Sequence, residues 1–377
     1  MPRPAPSQGT AALDLPNLTG LRFLAAFWVL GYHTMPRTGL PRPVAAFWDA
    51  GFSGVSLFFV LSGFILAHAY GSDAVADRRF PARRFFVARF ARVYPAYAAA
   101  LVFALPALFR DLRVSPEAPT GAALSGICVA SVTMTQAWIP GWGCWWNCPG
   151  WSLSAEAFFY LAFPLLAPRL LRLRAGPLAA VGIGAWLVAL AVGAGLDDAA
   201  RATTAMSDAW TTQLGLTAWT PLVRLPEFVL GVCAARLLRR DDGRPRLGAA
   251  AGWTAAAFVV AAVAFPQPWW RHSLVLWPGL ALPFALIIAS LAEPNGRGPL
   301  ASPLLQRLGN ASYSLYLIHA VGHGYFLAAV NRLISRDVAG TWPSFAVYVV
   351  LIIGTSLVMH DLLEQPARTW IRRTVRG

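Results

Sequence analysis

The amino-acid sequence predicts an all-α membrane protein, a polytopic helical bundle of about ten transmembrane helices with both termini in the cytoplasm. Three observations lead there. Of its 377 residues, 57% are hydrophobic and only 13% charged, where a soluble domain carries about 25% charged residues. Apolar runs of spanning length recur along the whole chain. The 31 basic residues are all arginines and gather between those runs, where the positive-inside rule places them. The net charge of +14 therefore speaks for membrane orientation, and nucleic acid is not an expected partner.

Taken in order, residues 1–17 lack a basic stretch followed directly by an apolar core and a cleavage site, and read as a short cytoplasmic tail. Apolar runs follow at about 18–35, 51–70, 91–109, 121–140, 152–168, 177–196, 222–238, 247–266, 272–292, 312–330 and 344–363. The run at 121–140 is rich in Ser, Thr, Gly and Ala. If it does not cross, 21 arginines lie on the cytoplasmic side and nine outside, with Arg22 inside a span; if it crosses, the counts become 12 and 18. Ten crossings with 121–140 as an extracytoplasmic or re-entrant helix satisfy the charge rule, and eleven violate it. Residues 367–377 close the chain as a basic cytoplasmic tail.

The first run, LTGLRFLAAFWVLGYH, carries Arg22 and His33 eleven residues apart, three helical turns, so both project from one face about 16 Å apart. An ionisable group inside a span costs roughly 2.5–3.5 kcal/mol at the centre, so two on one face point to a polar interior. Taken singly, a snorkelling Arg22 and an interfacial His33 fit as well. Arg89 and Arg92 share a face at the cytoplasmic end of the third run. Their paired planar donors suit a phosphate-bearing ligand, and an orienting role at the lipid surface is the other reading.

In WSLSAEAFFYLAFPLL, Glu156 sits about a turn inside the outer boundary with Ser152 and Tyr160 four residues to either side. A carboxylate there needs a partner, and His33 at similar depth is the expected one, with another interior cation as the alternative. Ser312, Tyr316, His319 and His323 form a polar stripe on a later run. Arg224 and Glu227 read as a structural pair, Cys128 and Cys233 as packing residues, and His68, His272 and His360 as residues near span ends. Cys144 and Cys148 lie in a Trp-rich outer segment, where a local disulfide is one option; no metal site is expected.

Together, LTGLRFLAAFWVLGYH, GVSLFFVLSGFIL, RRFFVARFARVYPAY, WSLSAEAFFYLAFPLL, LPEFVLG, LGNASYSLYLIH and LLEQPAR resemble acyltransferase family 3, bacterial integral-membrane O-acyltransferases of surface glycans and some antibiotics. The resemblance implies that 18–366 is a transmembrane acyltransferase domain of the bacterial inner membrane. It implies acyl-CoA (acetyl-CoA) as donor co-substrate, no permanently bound cofactor, and a hydroxyl acceptor on the outer side. It associates His33 and Arg22 with activity, and its motifs fall on Arg89, Arg92 and Glu156; joined to the helix spacings above, the expectation is that His33 and Glu156 are catalytic, Arg22, Arg89 and Arg92 donor-binding, and Ser152, Tyr160, Tyr316 and His319 cavity residues. Where relatives have a second acidic residue after the WSLSxE glutamate, this chain has Ala157. The expected reaction is O-acetylation of a glycan such as lipopolysaccharide or exopolysaccharide. A small secondary metabolite such as a macrolide is the alternative acceptor, and a glycan or lipid-linked exporter the alternative of another class.

Overall fold

The computed structural model describes residues 15–75, 80–139, 141–202, 219–239, 244–265, 278–335 and 337–374, all-helical apart from loops and one isolated bridge, Arg239 to Pro245. The helices, in chain order, are α1 (Pro16–Thr34), α2 (Arg42–Asp49), α3 (Gly54–Val75), α4 (Ala82–Val114), α5 (Gly121–Val132), α6 (Trp151–Leu171), α7 (Ala175–Ala202), α8 (Pro221–Leu237), α9 (Ala249–Ala264), α10 (Ala281–Leu291), α11 (Pro303–Leu333), α12 (Trp342–Met359) and α13 (Gln365–Thr374). A single π-turn, His360–Glu364, joins α12 to α13.

Among the described residues, four helical segments are long and apolar enough to cross a bilayer: Arg42–Val75, Ala82–Val114, Ala175–Gly195 and Trp342–Thr374. Helices α1, α6 and α11 reach 19, 21 and 31 residues. Their hydropathy is diluted by the polar side chains that make up the candidate site. The suspect run at 121–140 forms only a 12-residue helix, α5. At 1.5 Å per residue that is about 18 Å, against about 30 Å of hydrocarbon. It is pinned to its neighbours by polar contacts: Tyr97 Oη donates to the Ser131 carbonyl (2.7 Å), and Gln136 Nε2 donates to Tyr97 Oη (3.0 Å) and to the Gly150 carbonyl (2.9 Å). The run expected at 272–292 is described only from residue 278, and His272 lies outside the described residues.

The core is aromatic and close-packed. Phe159 stacks on Phe228 at 4.9 Å and Phe85 on Phe163 at 5.5 Å, all four fully buried. Helix α4 carries Pro95 and Pro106. Near Pro106, Trp146 donates to the Leu101 carbonyl at 2.9 Å and Tyr325 to the Phe103 carbonyl at 2.8 Å, supplying partners where the helix ladder is broken. Arg224 and Glu227 are buried and paired at 3.1 Å, as a structural pair should be, and Arg224 also donates to Ser56 Oγ at 3.0 Å. Cys144 and Cys148 are joined in a disulfide; Cys233 is buried and Cys128 half-buried.

Helices α3 and α8 cross without a side chain between them. A Cβ on Gly231 would stand 2.0 Å from the Val60 carbonyl oxygen, and one on Gly63 would stand 2.1 Å from that of Phe228. Small residues at a crossing let backbones approach where no hydrophobic drive separates helix from lipid. Since both obstacles are backbone, Gly231→Ala must push the helices apart. The expected loss is about 1–3 kcal/mol, read as a lower unfolding midpoint in detergent; an unshifted midpoint would contradict this crossing.

Candidate active site

Several ionisable residues of the apolar runs converge on one cavity of about 410 Å³, within the usual range for a small-molecule site. Arg22 enters from α1, Arg89 and Arg92 from α4, Ser152, Glu156 and Tyr160 from α6, and Tyr316 from α11. Helix periodicity explains each grouping: Ser152, Glu156 and Tyr160 are one turn apart, and Arg89 and Arg92 three residues apart.

Glu156 accepts hydrogen bonds from Ser62 Oγ of α3 (3.2 Å) and from Tyr160 Oη. Arg22 shares its electrostatic surroundings with Arg92, Glu156 and Glu364. The Arg89 guanidinium lies 5.7 Å from the Tyr70 ring centroid and 5.9 Å from that of Tyr160. Its Nε is buried without a hydrogen-bond partner among the described residues. Ser152 Oγ and Tyr316 Oη are 2.8 Å apart, both buried, with Phe58 against the Tyr316 ring.

The expected pairing of Glu156 with His33 is not what the fold makes. Helix α1 packs chiefly along α11, whereas α6 packs on α8 and α3, so Glu156 is turned to Ser62 and Tyr160 and His33 to α11. His33 and His319 lie outside the cavity lining and meet each other, His33 Nδ1 to His319 Nε2 at 3.2 Å. His319 is buried; His33, in the last turn of α1, is exposed. The hydrogen-bond network assigns the ring protons. His319 Nδ1 is 2.7 Å from the Tyr316 carbonyl and donates to it, which leaves its Nε2 an acceptor. His33 Nδ1 is 2.9 Å from the Val29 carbonyl and donates to it, with His319 Nε2 as a second acceptor. This tautomer leaves the lone pair on His33 Nε2. Tyr316 ties the two places together, its hydroxyl lining the cavity and its carbonyl holding His319.

Four charged contributors have no counterpart among the residues expected from sequence. Arg84, Asp73, Arg368 and Arg372 also line the cavity. The segment expected to be a tail is helical as α13 and packs on α4. A four-residue spacing of Arg368 and Arg372 was the available signal. Glu364, 2% exposed, accepts from Ser314 Oγ at 2.9 Å and stands 3.1 Å from His360 Nδ1. His68 is in contact with Arg239. A second, largely apolar cavity of about 190 Å³ opens beside the end of α1, between Thr34, His323, Phe326, Leu327 and Phe345. Among the described residues no cluster of His, Cys, Asp and Glu has the arrangement of a metal site.

Comparison with known proteins places the chain. The acyltransferase MdmB of Streptomyces mycarofaciens is 30% identical over 384 aligned residues, covering 95% of this chain and 93% of its own. Protein 2 in the picA locus of Rhizobium radiobacter is 42% identical over 22% of this chain and 40% of its own. The peptidoglycan O-acetyltransferase OatA of Listeria monocytogenes is 27% identical over 40% of this chain and 24% of its own. No solved structure matches significantly. Residues 15–361 match the acyltransferase domain family Acyl_transf_3, and with that match over nearly the whole chain the protein belongs to this family of membrane O-acyltransferases.

Proposed function

We propose that the protein moves an acyl group, in the simplest case acetyl, from acyl-CoA at the inner face to a hydroxyl of a small secondary metabolite, of which a macrolide is one example, at the outer face. The observation that carries this reading is the polarity of the site along the bundle. An arginine-lined cavity lies at one end, and an imidazole with an available Nε2 lies at the other, with Tyr316 between them. The arginine asymmetry supports ten crossings with both termini in the cytoplasm, which puts the arginines inward and His33 outward. The apolar cavity beside α1, about 190 Å³, would take an apolar portion of such an acceptor and not the whole of it. The match to MdmB along nearly its whole length supports a metabolite over the glycan first expected. The partial likeness to OatA is what favours a glycan as second reading.

In this mechanism the arginines hold the donor phosphates and the pantetheine arm runs outward past Tyr316. His33 Nε2 takes the acceptor hydroxyl proton as the oxygen attacks the thioester carbonyl. The C–S bond breaks, and the CoA thiolate recovers the proton from the imidazolium. An acyl-histidine relay is the covalent variant of the same step. The reading is tested with purified protein in nanodiscs, labelled acetyl-CoA, and parallel panels of macrolides and of peptidoglycan and lipopolysaccharide fragments. Label in a macrolide supports it, label only in glycan moves the assignment to the second reading, and no transfer with no donor binding returns the exporter alternative.

His319 serves here as a positioning residue. Replacing it by Ala removes an acceptor for the His33 Nδ1 proton, so kcat should fall about tenfold or more with donor KM unchanged, while His319→Gln, which offers an amide oxygen, should recover part of it. Equal losses in both variants, or a change confined to KM, would contradict this role.

A further inference from the structure

The family match ends at residue 361, before α13 begins. Yet α13 brings Arg368 and Arg372, one turn apart on one face, to the cavity that Arg89 and Arg92 line. The helix packs on α4, and the π-turn that precedes it is anchored by buried Glu364 through Ser314 and His360. A π-turn shifts the register of the helix after it and is a frequent feature of functional sites. Arg368 sits within electrostatic range of Arg92, Arg89 and Arg372. Counting the whole lining, six arginines face two carboxylates, Asp73 and Glu156, a formal excess of +4. Like charges gathered around one cavity repel each other unless an anion joins them.

Resting on the donor reading above, we propose that Arg368 and Arg372 bind the 3′-phosphate of acyl-CoA, so that α13 completes the donor site. The charges match, since CoA carries roughly −4 from a diphosphate and a phosphomonoester. The orientation follows from the chemistry at the far end. With the thioester directed outward to His33, the adenosine end stays at the inner mouth. There α13 lies alongside the N-terminal half of α4, which carries Arg84, Arg89 and Arg92. Arg89 and Arg92 are left for the diphosphate, and the α13 pair presents planar forks to the terminal phosphate. An anionic lipid headgroup offers the same chemistry, so the test separates the two sources.

The experiment compares kcat/KM for acetyl-CoA and 3′-dephospho-acetyl-CoA in nanodiscs of zwitterionic lipid, for wild type, Arg368→Gln with Arg372→Gln, and Arg373→Gln. Arg373 is exposed and does not line the cavity, so its variant controls for charge on the same helix. The wild type should prefer acetyl-CoA by about tenfold or more. The double variant should lose that preference by losing only acetyl-CoA efficiency, and Arg373→Gln should keep it. Retained efficiency with the dephospho donor reports an intact fold. If the double variant does not survive extraction, Arg372→Gln alone carries the comparison. A preference unaltered in the variant, or none in the wild type, overturns the proposal. So does an effect of the arginines that appears only when anionic lipid is added. Absence of transfer from either donor in the wild type instead overturns the donor reading itself.

Discussion

His33→Ala is expected to lower acyl transfer by about 10²- to 10⁴-fold, the range for removing a general base, with membrane insertion and unfolding midpoint unchanged. The loss should be this clean because His33 is exposed at the end of α1 while the residue it meets is held independently. His319 keeps its bond to the Tyr316 carbonyl, and Tyr348 Oη still donates to the His319 carbonyl at 2.5 Å. The one buried atom that loses its donor is His319 Nε2, and the space vacated by the exposed His33 ring admits water to it. Donor binding should also persist, because His33 is not in the arginine-lined cavity. Equilibrium binding of acetyl-CoA and single-turnover transfer, measured on the same preparation, check both halves. Retained turnover would remove His33 from the chemistry altogether. The two forms of the mechanism separate in the wild type without acceptor. A relay leaves label on the protein after brief exposure to labelled acetyl-CoA, whereas general-base attack leaves none.

The residues that carry this site were legible because the membrane makes ionisable groups conspicuous. Arg22, His33 and Glu156 stand out in otherwise apolar runs, and the cost of burying them there demands a reason. Local spacing was equally readable: the i, i+4 relation of Glu156 to Tyr160 appears in the fold as a hydrogen bond, and the i, i+3 relation of Arg224 to Glu227 as an ion pair. What spacing along one helix does not encode is which helix will lie opposite. His33 meets a residue 286 positions away, chosen by how α1 packs along α11. The close approach of those two helices depends on Gly309, where a Cβ would stand 2.1 Å from the Thr19 carbonyl oxygen. No hydrophobic period announces such a contact. Helix ends were blurred for a related reason. The arginines between Arg83 and Arg92 dilute the hydropathy of α4, which begins at Ala82, nine residues before the apolar run. Arg368 and Arg372 read as orienting charges because orientation is what juxtamembrane arginines usually provide, and only the packing of α13 on α4 turns them to the cavity.

Replacing Arg89 and Arg92 together by Gln should raise the KM for acyl-CoA by about 10²- to 10⁴-fold while kcat at saturating donor changes little. The magnitude comes from two charge-assisted contacts at roughly 1.5–3 kcal/mol each, with about 1.4 kcal/mol per factor of ten. The split between KM and kcat comes from position. These arginines lie on the N-terminal half of α4, and the His33 imidazole, the proposed base, lies at the opposite end of α1 from Arg22. On the proposed donor site, their contacts to phosphate would be the same in the ground and transition states, and uniform binding is expressed in KM. Arg89 has a further reason to be sensitive. Its guanidinium lies within cation–π range of Tyr70 and Tyr160 while its buried Nε has no partner among the described residues. The donor is thus presented in advance, and lysine at this position should recover the charge without the fork. Salt offers an independent check. If two phosphate contacts are lost, the dependence of donor KM on ionic strength should flatten in the double variant relative to the wild type. A double variant with unchanged KM and an unchanged salt response would take the phosphates away from α4. The donor would then have to enter by another face of the bundle, leaving the positive cavity for a different anion.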